Sequence, residues 1–213
     1  PPGLALRRVV AGRVVPAFTR NWLVQRGSQI RPSLGGGIVR AALGVLIVGL
    51  VGWAIWPDAR PVGYVLIVGG VLNALRLARW GGISTVSEPL LVILHIAYAW
   101  LIVGVVLLGV SRLIPDVPLT MVIHALTVGA VGTMIVAVMT RVSLGHSGRV
   151  LTANRGTVSI YVLCLLAALT RSGAAFAGPE TMTFGYISAF FRIAAFPGLL
   201  ALSGTIFFLA ARR

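Results

Sequence analysis

The sequence contains no lysine, a single cysteine (Cys164) and only four acidic residues among 213. One cysteine excludes an internal disulfide framework, and it excludes the paired-cysteine motifs of zinc sites and of covalent haem attachment. Charged residues make up 10% of the chain, against about 25% in ordinary soluble domains, which leaves too little polar surface to cover a soluble core. Hydrophobic residues make up 58%, so disorder is excluded as well. These shortages together indicate a polytopic membrane protein.

Arginine supplies all 18 positive side chains and gives a formal net charge of +14. A nucleic-acid-binding protein would gather such charge into a patch on a soluble fold. Here the arginines separate long apolar stretches, which is typical of charge that orients membrane helices. We therefore expect the lipid bilayer, and no nucleic acid, as the partner of this basic chain. Soluble hydrolases and NTPases are disfavoured too, because the sequence has no P-loop, GxSxG motif or Ser/His/Asp set.

Six stretches are long or nearly long enough to cross the hydrocarbon core, which takes about 20 residues of helix. Three of them begin with proline, which suits the first turn of a helix. The sequence predicts an all-α fold, a polytopic transmembrane helical bundle of about six spanning helices over 38–213, preceded by an arginine-rich segment, 1–37. The predicted spans are 38–56, 61–79, 89–110, 118–141, 157–169 and 191–210.

Six crossings place both ends of the chain on one side of the membrane. Of the 18 arginines, four sort to the opposite side together with three of the four acids. The positive-inside rule then predicts that both ends and the 1–37 segment are cytoplasmic. Arg76 and Arg79 at the end of the second span, and Arg192 near the start of the sixth, are expected to extend to the interface. The four arginines of the opposite side are Arg60, Arg112, Arg171 and Arg192.

The fourth predicted span carries a stripe of small residues at every fourth position. They are Ala125, Gly129, Thr133 and Ala137. Such a stripe predicts the close approach of another helix backbone.

Three histidines, His95, His124 and His146, are the candidates for chemistry. An imidazole inside a membrane helix is costly unless it is partnered, by a metal or by a backbone carbonyl or hydroxyl. His95 and His124 each end a PLxxxxH pattern, about 9 Å along the helix from its proline. Because consecutive spans are antiparallel, roughly 12 Å of depth separates the two rings in a core of about 30 Å. This separation favours two sites, or one extended cofactor, over a single shared ion.

His146 follows the fourth span on the same side as His95, so these two form the easier pair for a common site. Tyr98 shares a helix face with His95 and could donate a hydrogen bond to a ligand, or it could be an ordinary core ring. Met121 shares a face with His124, and we interpret it as packing.

Three segments resemble the NnrS family. They are GRVVPAFTRNW at 12–22, LHIAYAW at 94–100 and HALTVGAVGTMIVAVMTRVSLGHSGR at 124–149. They follow one another in the family's order, and they include all three histidines.

The resemblance implies a haem- and copper-associated protein of the bacterial cytoplasmic (inner) membrane, tied to denitrification and nitrosative stress, with nitric oxide as its ligand. It supports His95, His124 and His146 as metal ligands without saying which metal each one meets. Arg141 and Arg149 are the arginines expected to bind the haem propionates. Family members have more spans, so this chain resembles their C-terminal half. The opening Pro1-Pro2-Gly3 also suggests a piece of something longer, and the missing N-terminal half is expected as a further partner.

Two other classes stay open. A metal-free transporter or permease subunit would show broken helices in two matching halves, and Pro197-Gly198 in the sixth span is one such break without a repeat partner. A purely structural subunit would tolerate replacement of all three histidines. Whether the chain is an enzyme also stays open, with metal binding favoured over proven catalysis.

Overall fold

The structure, a computed structural model, describes the backbone of residues 14–30, 32, 36–146 and 150–210. Side chains are described over the same residues, except at 146 and 201–210. The described part is all helix and loop, with seven helices and no strand. Six helices are long and apolar enough to cross a membrane. The predicted all-α bundle with six spans is therefore confirmed.

The seven helices are numbered here in chain order. Helix α5 is continuous but changes its winding, with an α-helical start, a π-helical middle over Ala125–Gly132 and an α-helical end. Short 3₁₀ turns occupy Gly82–Thr85, Ala174–Phe176 and Gly178–Glu180. The helices are α1 Val14–Gln25, α2 Gly37–Ile55, α3 Arg60–Ala78, α4 Pro89–Leu113, α5 Leu119–His124 continuing as Thr133–His146, α6 Arg155–Gly173 and α7 Thr181–Ala210.

The prolines mark helix starts as predicted. Pro61 and Pro89 lie in the first turns of α3 and α4, and Pro118 immediately precedes α5. At these positions the missing N–H would have had no helical partner anyway.

The last helix differs from its prediction. Helix α7 begins at Thr181, ten residues before the expected 191, because Thr, Gly, Tyr and Ser over 181–190 weaken the apolar signal without stopping a helix. Arg192 consequently lies about 16 Å into α7 and is half-buried, so its expected position near the start of a span is wrong. The helix also continues through Pro197, which removes the break that the transporter hypothesis used.

Helices α4 and α5 form the centre of the bundle. Helices α2 and α3 pack on one side of this pair, with α2 chiefly against α3, while α6 and α7 pack on the other side. We call the membrane face that holds α1, Gly82–Thr85 and the α5–α6 connection face A. The face that holds the α2–α3, α4–α5 and α6–α7 connections is face B.

The small-residue stripe of α5 is buried along its length. The neighbour at Gly129 is an aromatic ring instead of the predicted backbone, since a Cβ at Gly129 would lie 2.6 Å from ring atoms of Trp100 in α4. Nearby, a Cβ at Gly104 of α4 would lie 3.4 Å from the backbone nitrogen of Leu126. The close α4–α5 contact therefore depends on glycine in both helices.

Replacing Gly129 with leucine should destabilise the bundle by about 1–3 kcal/mol, because the new side chain overlaps the Trp100 ring. The free energy of unfolding by denaturant in a fixed detergent measures this. Gly44→Leu is the matched control, since nothing lies within 4 Å of a Cβ at Gly44. Equal stability of the two variants would contradict the packing described here.

Candidate functional site

Residues 14–22 of the first motif segment lie in α1, an element that the sequence analysis did not predict. Its residues Val15, Thr19 and Leu23 are buried at four-residue spacing, which places one helix face against the protein. This face packs on the first turns of α4 and on Gly82–Thr85. Helix α1 thus lies over the end of α4 that carries His95.

The His95 ring is held in one orientation by its own helix. Its Nδ1 lies 2.9 Å from the carbonyl oxygen of Leu91, and because a carbonyl can only accept, Nδ1 carries the proton and donates it. The lone pair is therefore on Nε2, which lies 3.4 Å from the Thr19 hydroxyl. That hydroxyl donates to the carbonyl of Val15 at 2.9 Å. The half-buried ring accordingly offers Nε2 in the form that binds metals.

The turn after α3 closes over the same ring. Gly81 has φ of 69°, a conformation that glycine adopts without strain, and it turns the chain back towards α4. A Cβ at Gly82 would lie 2.7 Å from Cδ2 of His95, so only glycine leaves room for the imidazole here. Trp80 meets the ring edge-on, with centroids 6.1 Å apart. The indole N–H of Trp80 is buried without an acceptor in the described part of the chain.

Arg76 is buried, at 2% exposure, and the expectation that it extends to the interface is wrong. Its Nη1 donates to the Tyr98 hydroxyl at 2.9 Å, and its guanidinium lies over the Trp80 ring at 5.1 Å. The Tyr98 hydroxyl donates in turn to Oδ1 of Asn73 at 2.6 Å. Arg79 is exposed, as expected. Bonds within the protein thus occupy the Tyr98 hydroxyl, which is a structural group and not a ligand donor.

His124 lies in a different environment, towards face B. It is half-buried at the point where α5 becomes π-helical, and Arg171 and Arg192 are close enough to act on it electrostatically. None of the residues in contact with His95 is among these neighbours. Two nearby cations oppose the binding of a bare metal ion.

The structure describes only some of the remaining predicted site residues, which are His146, Arg141 and Arg149. His146 ends α5, but its side chain lies outside the described residues, as does Arg149 altogether. The predicted pairing of His95 with His146 therefore stays a prediction. Arg141 is described, and its guanidinium stacks on Phe18 of α1 at 4.3 Å. Within the described ranges, no three His, Cys, Asp or Glu side chains come together as a metal site.

A cavity of about 590 Å³ lies beside α1 on face A. Its most unusual residue is Glu88, which was not among the candidates chosen from the sequence. The carboxylate caps α4 by accepting the N–H of Leu90 at 3.3 Å, and Glu88 is 3% exposed. An acid directly before a proline-led helix was the available signal. The cavity is lined by Phe18, Asn21, Trp22, Gln25, Arg26, Glu88, Arg141, Val142, Gly145 and 150–152.

Fold and site define a multi-pass helical membrane protein that holds an oriented imidazole under a short helix at one membrane face. The comparison with protein families names this class more closely, because the family model described as NnrS protein matches residues 3–212. The chain belongs to the NnrS family, and this membership relates it to the nitric oxide response. No curated protein and no solved structure matches the chain.

Replacing Tyr98 with phenylalanine should lower the free energy of unfolding by about 1–3 kcal/mol, because the loss of the hydroxyl removes a partner from buried Arg76 and Asn73. Denaturant titration in detergent measures the change. Tyr64→Phe is the control, since that ring is 61% exposed. A loss no greater than that of the control would show that the bonds of Tyr98 do not stabilise the fold.

Gly82→Ala should displace the His95 ring, because a Cβ would overlap Cδ2. In protein labelled at its three histidines, the imidazole resonance of His95, assigned with His95→Gln, should shift while that of His124 stays in place. Gly173→Ala should move neither, since no atom lies within 4 Å of a Cβ there. An unmoved His95 resonance in Gly82→Ala would refute the enclosure of this ring.

Proposed function

We propose that this chain is an integral membrane protein that binds haem and copper in the nitric oxide response, with His95, His124 and His146 as metal ligands and nitric oxide as the molecule bound at the metal. The observation that carries the proposal is the tautomer and orientation of His95, whose Nδ1–H donates a hydrogen bond to the Leu91 carbonyl. Metal-ligating histidines commonly donate their other N–H in this way, which fixes the tautomer and the ring.

The surroundings of His95 fit an imidazole that would hold haem iron. The buried N–H of Trp80 offers a donor to a bound group, and Arg141 adjoins the same helix α1 through Phe18. We propose Arg141 and Arg149 as the arginines for the haem propionates, since guanidinium groups bind carboxylates in a bidentate way. Haem would supply an iron centre able to bind nitric oxide. Because Thr19 and Gly82 lie against Nε2, binding would require α1 or the Gly82–Thr85 turn to move.

Copper fits the described residues less well, because protein copper sites usually combine several ligands and no group of three is present among those residues. We propose that His146 and histidines outside this chain complete such a site. A site at His124 would include an anionic ligand, because Arg171 and Arg192 lie close to that ring.

We propose the bacterial cytoplasmic membrane as the location, with both ends of the chain cytoplasmic. The support is the distribution of arginine, since only four of the 18 sort to the side opposite the ends. Face A would then be the cytoplasmic face.

Optical spectra and metal analysis of the purified protein test the proposal. The unaltered protein should show a haem Soret band that shifts with nitric oxide. His95→Ala should lose most of the bound haem or copper, because the oriented imidazole is gone. His124→Ala should lose the metal that His124 holds.

Two controls separate ligation from misfolding. Tyr64→Phe, on an exposed ring, should keep the full metal content. In His95→Gly, added imidazole should restore the lost absorbance, as a free ligand can enter the vacated space. Full metal content in both histidine variants would contradict the proposal.

A further inference from the structure

The cavity under α1 contains charged groups that the proposed metal chemistry does not use. It lies where α4 begins, where α5 ends and where the chain enters α6. Because these are the ends of spanning helices, the cavity is at the boundary between hydrocarbon and water. Its volume of about 590 Å³ is that of a site for a small organic molecule.

One wall of the cavity is cationic. The guanidinium of Arg26 stacks on the ring of Trp22 at 4.3 Å, and stacking leaves the N–H groups at its edge available to an anion. Within the described residues, the one ion pair joins Arg112 and Asp58 at 3.4 Å on face B. Arg26 therefore has no carboxylate partner there, and a phosphate would suit its forked donors.

The acidic group of the cavity is the carboxylate of Glu88, and Arg141 is a second arginine in its lining. Glu88 is 3% exposed, and its one hydrogen bond in the described part of the protein comes from the backbone of Leu90 at 3.3 Å. Arg141, which lines the same cavity, acts on this carboxylate electrostatically, but no cation in those residues lies within ion-pair distance of it. A buried carboxylate is costly without a cation in direct contact, so its position points to a cationic group supplied by a ligand.

We propose that this cavity binds the headgroup of an ethanolamine phospholipid, with the phosphate at Arg26 and the ammonium at Glu88. Phe18, Trp22, Val142 and Leu151 offer an apolar wall for the glycerol and the first acyl carbons. The lipid site goes beyond the proposed metal function, although Arg141 lines this cavity as well. An ammonium at Glu88 would also offset the repulsion between Glu88 and a carboxylate at Arg141.

Native mass spectrometry of the full chain, released from nanodiscs of equal parts phosphatidylethanolamine, phosphatidylglycerol and phosphatidylcholine, tests the site. The unaltered protein should retain phosphatidylethanolamine about tenfold over the other two, the ratio expected for one charge-assisted hydrogen bond. Glu88→Gln should abolish this preference, because glutamine keeps an oxygen for Leu90 but loses the charge. Arg26→Gln should lower retention of all three lipids.

Matched controls lie elsewhere on the chain. Arg20→Gln alters an exposed arginine of α1, the helix that Arg26 directly follows, and Glu180→Gln alters an exposed acid at face B. Neither residue lines the cavity, so both variants should keep the lipid ratio of the unaltered protein. Phosphoethanolamine without acyl chains, at the same concentration as lipid, should displace nothing.

Three results would overturn the lipid site. They are no preference in the unaltered protein, an unchanged ratio in Glu88→Gln, and displacement of lipid by phosphoethanolamine alone. The metal proposal is tested apart from this one, because His95→Ala should lose metal yet keep the lipid preference. In His95→Ala, full metal content with the lipid preference kept would count against the metal proposal alone. In the unaltered protein, bound metal without a lipid preference would count against the lipid site alone.

Discussion

The bond between the Arg76 guanidinium and the Tyr98 hydroxyl satisfies a constraint that governs the whole bundle. A charge enclosed in an apolar helical protein needs partners from neighbouring helices, since neither lipid nor water is at hand. The Tyr98 hydroxyl donates a hydrogen bond to Asn73, and Asn73 donates one to the carbonyl of Ala42 in α2 at 3.1 Å. Helices α2, α3 and α4 are thereby joined by one polar network.

The same network reaches the candidate site through aromatic rings. Trp80 packs against Tyr98 with centroids 4.6 Å apart and meets the edge of His95. Its indole is 1% exposed, so its position follows from the packing of α3 on α4. The orientation of His95 therefore has two sources, the Leu91 carbonyl within α4 and the groups packed around the ring. A buried arginine two contacts away thus helps to position the imidazole.

Helix α1 contacts both the His95 ring and the cavity on face A. Thr19 touches His95, while the preceding residue, Phe18, carries the stacked Arg141 and lines the cavity with it. One short helix therefore has the imidazole on one side and the charged cavity on the other. The motif segments at 12–22, 94–100 and 124–149 are distant in sequence, and the fold brings their described residues into contact with one another.

Hydrophobic length and helix-start residues were enough to predict six spans, because each is a property of a continuous segment. The three histidines could be chosen as candidates by the same local logic. The burial of Arg76, Arg192 and Glu88 could not be predicted, because whether a charged side chain near a helix end reaches water depends on which neighbouring helices cover it. The π-helical middle of α5 also escaped prediction, since its small residues fit an ordinary α-helix equally well.

The sequence by itself determined the class of protein, the number of candidate membrane spans and the uneven distribution of arginine among the segments between them, since these follow from composition and from short-range patterns. Tertiary structure alone decided that Thr19, Gly82 and Trp80 surround His95, that His124 lies apart from it, and that Glu88 shares a cavity with Arg26. The physical reason is that helices distant along the chain must pack to bury their polar groups away from lipid, and only that packing selects which side chains meet.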